Sequence, residues 1–528
     1  MGRNSFNTIA AILLFCMLWQ TTDAQNPSTY QPKIEYCNCD FKVDSHFLQL
    51  ASGRFKPDSI FRLQTDSSFK TTCGYLIVPE RRIQNQEYRR YEKKQKKKAE
   101  TVRNTVKLPF IILHSKNSDK AKDPVLYTSG GPGNSSLSWI NGMTRSGIIQ
   151  QRDVIAFEQR GTRFALPYIR NFELDDAIRE SYSKNLNKDS MVLAGLRRYK
   201  QELQQRGVDI NGYNSDESTA DIIDLLKELK IDSVNLYGGS YSASLMLSVL
   251  KRSPERVRSL VLDSPLPNFT AIDEDEPANF MEALNKLFQY VANDSSEAKL
   301  YPGLREKFHS YFMSITGKSF LHPYAKSGST DTTKIAYGTN DLLLIIVNSM
   351  LSPGFLEKTP AIIQQVINGD HYALIQHRLD RIFNAFTAPD GMRISVYCAD
   401  EATYQSQQVL EDLYRMYPYL EGFRINDVYK TMCDFWDVAP VAKSSTEPYY
   451  SDRPALIADG ELDPSCNPLY VQQLMHYMPN AQGFLFKKRG HGVGGKEFYG
   501  MIDVFLANPF QEIKPTGEYT SKYLPPPS

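Results

Sequence analysis

Between Val234 and Lys251 the apolar pattern changes from that of a short strand, Val234 to Tyr237, to that of a helix, Ser242 to Lys251, across Gly238-Gly239-Ser240-Tyr241. A strand that passes into a helix in so few residues strains the central serine. It also brings the flanking chain so close that the positions two before and two after must be small. Gly238 and Ser242 meet that demand. The stretch therefore fixes one strand–turn–helix unit and presents a hydroxyl at the end of the strand. Taken alone, a structural glycine-rich turn competes with a reactive serine as its reading.

The same rhythm recurs on both sides. Cys73 to Val78, Leu108 to His114, Val125 to Thr128, Val154 to Phe157 and Val257 to Leu262 read as short apolar strands. Asn214 reads as a helix N-cap with Glu217 three residues on, followed by Ile222, Leu225, Leu226 and Leu229 on one face. Strands alternating with helices predict an α/β fold, a mostly parallel central sheet with helices on both faces. From 265 to 393 long helical patterns take over, such as Ala278 to Val291 and Asp341 to Met350, and predict an inserted helical cap. Strand signals return at Ile394 to Tyr397 and Ala455 to Ala458, then a helix from Pro468 to Tyr477 and a last strand at Gly483 to Lys487. The expected division is a signal peptide at 1–24, a core at 25–264, a cap at 265–393 and the rest of the core at 394–528.

Arg3 precedes an apolar run from Ile9 to Trp19, and polar residues lead to Thr22-Asp23-Ala24. This is the pattern of a secretory signal cleaved after Ala24. A run of about 11 residues is too short for a membrane-spanning helix, which needs roughly 20. A secreted or periplasmic chain without a membrane span after cleavage is the expectation, with a retained anchor as the alternative. Beyond Cys16 the cysteines are Cys37, Cys39, Cys73, Cys398, Cys433 and Cys466. An even number in an exported chain points to disulfides. Cys398 with Cys433, and Cys73 with Cys37 or Cys39, are the expected pairs. Cys37-x-Cys39 lacks the spacing and the histidines of a structural zinc site.

Lys and Arg number 61 against 60 Asp and Glu, for a formal charge of +1, so composition offers no nucleic-acid partner. One local excess stands out. Residues 81–107 carry 11 basic side chains against Glu87, Glu92 and Glu100. That reads as a solvated loop or extended hairpin, with adhesion to an anionic surface as the alternative.

A serine hydroxyl is a poor nucleophile near neutral pH. It needs an imidazole to take its proton, and the imidazole needs a carboxylate to fix its tautomer and stabilise its charged form. Ile457-Ala458-Asp459-Gly460-Glu461-Leu462-Asp463-Pro464 follows a strand, and Arg489-Gly490-His491-Gly492 follows the last strand. With Ser240 as nucleophile, Asp463 and His491 are the expected acid and base, and Asp459 and Glu461 are the competing carboxylates. Acyl transfer also needs donors where negative charge develops. Ser129-Gly130-Gly131-Pro132-Gly133 follows a strand and can turn its amides inward, so the oxyanion hole is assigned to the amides of Gly131 and Tyr241.

Gly130-Gly131-Pro132-Gly133, Glu158-Gln159-Arg160-Gly161-Thr162, the turn at Ser240, Gly460-Glu461-Leu462-Asp463-Pro464 and Gly490-His491-Gly492 together resemble the α/β-hydrolase fold. More narrowly they resemble its prolyl and tripeptidyl aminopeptidase branch. Cys73-Gly74-Tyr75-Leu76, Val78-Pro79-Glu80 and Cys433-Asp434-Phe435-Trp436 extend the likeness over most of residues 70–505. The resemblance implies release of residues from the free N-terminus of peptides through an acyl-enzyme on Ser240, with no metal or organic cofactor. The chain departs from the pattern at Ser129, where relatives often have His, at Glu158, where many have Asp, and at Ser242, where Gly is usual.

An aminopeptidase must neutralise its substrate's α-ammonium, because a buried cation without a carboxylate is costly. Asp273, Glu274, Asp275 and Glu276 at the start of the cap, with Asp400 and Glu401, are the candidates, although a solvated acidic face also accounts for such residues. An esterase or amide hydrolase acting on small apolar substrates is the rival reading, and a hydrolase-like binding protein without catalysis is a third. Residue preference, the number of residues released and quaternary state are not written in these motifs.

Overall fold

The computed structural model describes residues 31–54, 58–64, 68–82, 104–325, 331–352, 354–517 and 520–524. The predicted signal segment and residues 83–103 of the basic stretch lie outside the described residues.

Twelve strands are present among the described residues. They are β1 (Lys33–Cys37), β2 (Thr71–Pro79), β3 (Thr105–Leu113), β4 (Val125–Thr128), β5 (Val154–Phe157) and β6 (Val234–Ser240). The rest are β7 (Val257–Pro265), β8 (Ser319–Ala325), β9 (Thr332–Gly338), β10 (Ala455–Gly460), β11 (Ala481–Phe486) and β12 (Thr520–Lys522). Ten form one sheet in the order β1-β2-β3-β5-β4-β6-β7-β10-β11-β12. From β5 to β11 every pairing is parallel, while β1, β2, β3 and β12 add antiparallel edges. This is the α/β-hydrolase arrangement the motifs imply.

The central strands are continuous apolar runs because both faces are covered. All of β5 and all of β10 are buried. On one face Val125, Ala156, Tyr237, Val261 and Ala458 pack with the helix Gly495–Ala507. On the other, Leu126, Ile155, Leu236, Leu260 and Ile457 pack with Ser215–Glu228, Tyr241–Arg252 and Leu469–Tyr477. The expected N-cap is present, with Asn214 Oδ1 accepting the Glu217 amide at 2.9 Å.

Between β7 and β10 the described elements are helices, 3-10 turns and the antiparallel hairpin β8–β9, which the helical pattern did not anticipate. Phe280, Phe308, Phe312, Leu342 and Ile346 form its core. The strand expected at Ile394 to Tyr397 is instead part of a helix, Gly391–Asp400. Asp390 caps that helix by accepting the Arg393 amide at 2.8 Å. Met392, Ile394, Val396, Tyr397 and Ala399 are all buried, so the run shows no apolar period and a short strand looks the same in sequence. The large sheet resumes at Ala455.

Two disulfides join Cys39 to Cys73, with Cα atoms 5.3 Å apart, and Cys398 to Cys433, at 5.0 Å. Cys37 and Cys466 are free, the first exposed and the second buried.

Candidate active site

Four loops leave the ends of parallel strands β4, β6, β10 and β11 along one edge of the sheet, the edge where α/β folds bind ligands. They carry Gly131, Ser240, Asp463 and His491 in turn.

Ser240 ends β6 with φ 53° and ψ −132°, a conformation L-residues seldom adopt. The close approach required on either side is visible. A Cβ on Gly238 would lie 2.6 Å from the Ser242 carbonyl oxygen. Ser242, standing where glycine is usual, is fully buried and its hydroxyl lies 2.6 Å from that of Thr128 on β4. The departure from the motif therefore adds a hydrogen bond between β4 and the first turn of the helix that follows β6.

His491 Nδ1 lies 2.7 Å from Asp463 Oδ2. The other oxygen of Asp463 accepts the amides of Ser465 at 2.8 Å and Cys466 at 2.9 Å, which holds the carboxylate in a single orientation. Burial opposes charge on the imidazole, but Asp463 outweighs it and leaves the His491 pKa above the ordinary histidine value. Neither competing carboxylate is hydrogen-bonded to His491. Asp459 accepts its neighbouring Gly460 amide at 2.7 Å, and burial next to Asp463 pushes its pKa well up. Glu461 accepts a hydrogen bond from the Tyr290 hydroxyl. The histidine loop is pinned by β7, where Ser264 Oγ accepts the Gly492 amide at 2.9 Å and Asp263 accepts that of Val493 at 2.9 Å.

Cys466, which the motif reading passed over, is the common neighbour of these groups. Its thiol lies close enough to Ser240 for that hydroxyl to lower its pKa in part. Its sulfur, an Asp463 oxygen and a His491 ring nitrogen all lie within 4.8 Å of one another. The trio has the composition of a metal site, yet the Asp463 oxygens already serve His491 and two amides. Full burial beside Asp463 raises the thiol's pKa well above its ordinary value, which works against thiolate ligation.

The loop after β4 packs directly on the serine turn, since a Cβ on Gly130 would lie 2.7 Å from the Gly239 carbonyl oxygen. Behind it, fully buried Glu158 accepts the Ser136 amide at 2.7 Å and the Ser135 hydroxyl at 3.0 Å. Burial raises its pKa. Gln159 Nε2 donates to the Ser129 carbonyl at 2.7 Å, and the Ser129 amide donates to Ser136 Oγ at 2.9 Å. Ser129 and Glu158, two further departures from the motif, thus sit in one network that fixes this loop.

From the cap side, Arg393 donates to the Gly131 carbonyl, to Asp427 at 2.6 Å and to Asn426 at 3.0 Å, and lies 4.7 Å over the Tyr397 ring. The Asp390 carboxylate covers Gly133, 2.9 Å from where a Cβ would stand. Neither residue carries a motif signature, because each acts from a helix that the sequence presents as strand.

Of the acidic candidates, Asp275 accepts the Tyr470 hydroxyl at 2.8 Å, Asp400 the Ser215 amide at 3.4 Å and Glu401 the Ile272 amide at 3.3 Å. The side chains of Asp273 and Glu274 lie outside the described residues. Glu276 is the one directed at the site. It is 5% exposed, accepts the Ser465 hydroxyl at 3.0 Å, and its charge contributes to raising the pKa values of His491 and Cys466.

Two family models match the chain, alpha/beta hydrolase fold over residues 123–377 and TAP-like protein over residues 418–510. No curated protein matches it. Among solved structures, a serine hydrolase from Cycloclasticus zankles is 16% identical, with 77% of this chain and 96% of that chain covered and a TM-score of 0.33. A meta-cleavage product hydrolase from Pseudomonas fluorescens is 14% identical, covering 76% and 94%, with a TM-score of 0.35. An esterase from Thermogutta terrifontis is 11% identical, covering 77% and 95%, with a TM-score of 0.33. The chain has the α/β-hydrolase fold, and its residues 418–510 are similar to TAP-like proteins, the tripeptidyl aminopeptidase branch.

Proposed function

We propose that the chain is an exported serine aminopeptidase, in which Ser240 is the nucleophile, His491 the general base, Asp463 its orienting acid, and the amides of Gly131 and Tyr241 the oxyanion hole. The observation that carries the reading is the 2.7 Å contact of His491 with Asp463 beside a strained serine that shares Cys466 with them. In the first half-reaction Ser240 Oγ attacks the scissile carbonyl and its proton passes to His491. The oxyanion forms against the two amides, and collapse expels the amine, which takes the proton from His491. Water then repeats the sequence on the ester, releasing the acid and restoring the serine.

Glu276 supports the peptidase over the esterase. Its carboxylate is buried beside His491 and adds negative charge there, and the α-ammonium of a peptide is a cation that such a charge would attract. The two disulfides suit an oxidising compartment.

A fluorophosphonate probe, with Ser240→Ala as control, tests the nucleophile. Product masses from a mixed peptide library, with free and acetylated N-termini, test the rest. Labelling of Ser240 with cleavage confined to free N-termini is expected. Labelling with faster turnover of short esters and indifference to acetylation would make the chain an esterase, and failure to label would leave a binding protein.

A further inference from the structure

A cavity of about 1090 Å³ is walled by the start of the helix Lys188–Gln205, the helices Thr339–Leu351 and Tyr372–Asn384, and residues 419–432. It does not include the triad, but it adjoins the proposed oxyanion loop. Its lining residues Asn426 and Asp427 are the two that Arg393 holds while reaching Gly131. Pro389, also in the wall, precedes the Asp390 that covers Gly133.

The charges in this cavity do not balance in pairs. Asp341 is held by Arg378 at 2.9 Å, Asp189 by Arg424 at 3.2 Å and Asp427 by Arg393 at 2.6 Å. Glu421, Lys318, Arg381 and Lys188 are all exposed. Lys188 lines the same space, and its side chain has no hydrogen bond or ion pair among the described residues. Desolvation by the surrounding walls, with Arg378 and Arg424, lowers its pKa from the ordinary lysine value against the opposing charges of Asp341 and Asp189, each of which is already held by an arginine. An ammonium placed among guanidiniums whose acids are already engaged is stabilised by an arriving anion.

We infer that Lys188, backed by Arg378 and Arg424, is a binding site for a peptide carboxylate, and specifically for the C-terminal carboxylate of a short substrate. This deepens the peptidase reading and rests on it for the identity of the ligand. An enzyme holding both ends of its substrate would act on short free peptides and disfavour long or capped ones.

The test measures binding rather than turnover. Ser240→Ala protein is titrated calorimetrically with trialanine and with trialanine amide, and the titration is repeated after adding Lys188→Met or Lys188→Arg. The free acid is expected to bind about ten-fold tighter than the amide, the advantage vanishing with Met and persisting with Arg. Each preparation provides its own ratio, so a partly unfolded variant does not imitate the result. Equal affinity for acid and amide in the parent protein overturns the inference, as does an advantage that survives Lys188→Met. A third peptide, Ala-Ala-Glu amide, separates a terminal from a side-chain carboxylate, and tight binding by it overturns the terminal assignment. Wild-type turnover distinguishes the two levels. Peptides cleaved without regard to the C-terminal group would sink the carboxylate site and leave the peptidase standing. An acid-over-amide advantage in binding without cleavage of any peptide would do the reverse.

Discussion

Replacing Arg393 by Met tests whether the cap sets the geometry of the proposed oxyanion hole. The Arg393 side chain donates to Asp427, Asn426 and the Gly131 carbonyl rather than to Ser240, Asp463 or His491. That bond fixes the peptide plane following the residue whose amide is assigned to the hole. Complete loss of one oxyanion donor costs ~3 kcal/mol, about 150-fold in rate. Arg393 orients the donor rather than supplying it, so kcat should fall by less, about 10- to 100-fold. Stability should also drop. The bond to Gly131 is worth ~2 kcal/mol, the stacking on Tyr397 ~1, and the pair with Asp427, 39% exposed, below ~1. Because that loss alone could depress activity, the assay compares kcat with KM on protein shown to be folded by its melting curve. It also compares inhibition by a peptide aldehyde with that by the matching unreactive peptide. The aldehyde, whose adduct places an oxyanion in the hole, should lose most of its advantage, and Arg393→Lys should recover only part of it for want of the fork. A kcat within two-fold of wild type, or equal losses for both inhibitors, would refute the coupling.

The acidic limb of the kcat/KM profile should lie above the ordinary histidine value of ~6.5, because Asp463 raises the His491 pKa and the base must be neutral to act. Asp463→Asn removes the raising charge and leaves burial, so the limb should move to lower pH while kcat falls about 10³- to 10⁴-fold; an unmoved limb would contradict the assignment. Glu276→Gln should lower the preference for free over acetylated N-termini about ten-fold, read as the ratio of kcat/KM values, and an unchanged ratio would exclude it as the ammonium partner. Removing the Cys398–Cys433 bond, which closes a 35-residue separation, by Ser at both positions should cost ~3–4 kcal/mol, measured by urea unfolding, and an unchanged midpoint would deny it a stabilising role.

What could be read from the sequence follows from how local each signal is. The serine turn, the glycine loops and the strands beneath them are dictated by steric demands within a few residues, and the sheet places them where the motifs implied. The pair Asp463 and His491 was legible because each follows a strand in a glycine-bounded loop. Arg393 and Asp390 were not, since their roles depend on a helix with a buried apolar face on every side, whose pattern a strand shares. Glu276 could be named only as one of several acids, because burial rather than spacing separates it from Asp275 and Glu401. Lys188 carried no signal at all, as an unpaired charge is recognisable only once the partners of its neighbours are known.

The three departures from the family pattern are best understood together. Ser242 would weaken the turn if its hydroxyl were buried without a partner, and Thr128 supplies one at the end of β4. The next residue, Ser129, has its amide and carbonyl taken by Ser136 and Gln159, and Glu158 in turn holds Ser136 and Ser135. A histidine at 129 or an aspartate at 158 would alter the volume and reach of a network built on the buried Ser136, Glu158 and Gln159. The loops after β4 and β5 and the first turn of the helix Tyr241–Arg252 thus accommodate all three substitutions, and none falls on Ser240, Asp463 or His491. Such changes leave the proposed catalytic groups untouched and fall instead behind the wall that Gly131 and Gly133 share with Asp390 and Arg393. Substrate choice should therefore be sought there, between the oxyanion loop and the cavity behind Arg393, rather than at Ser240.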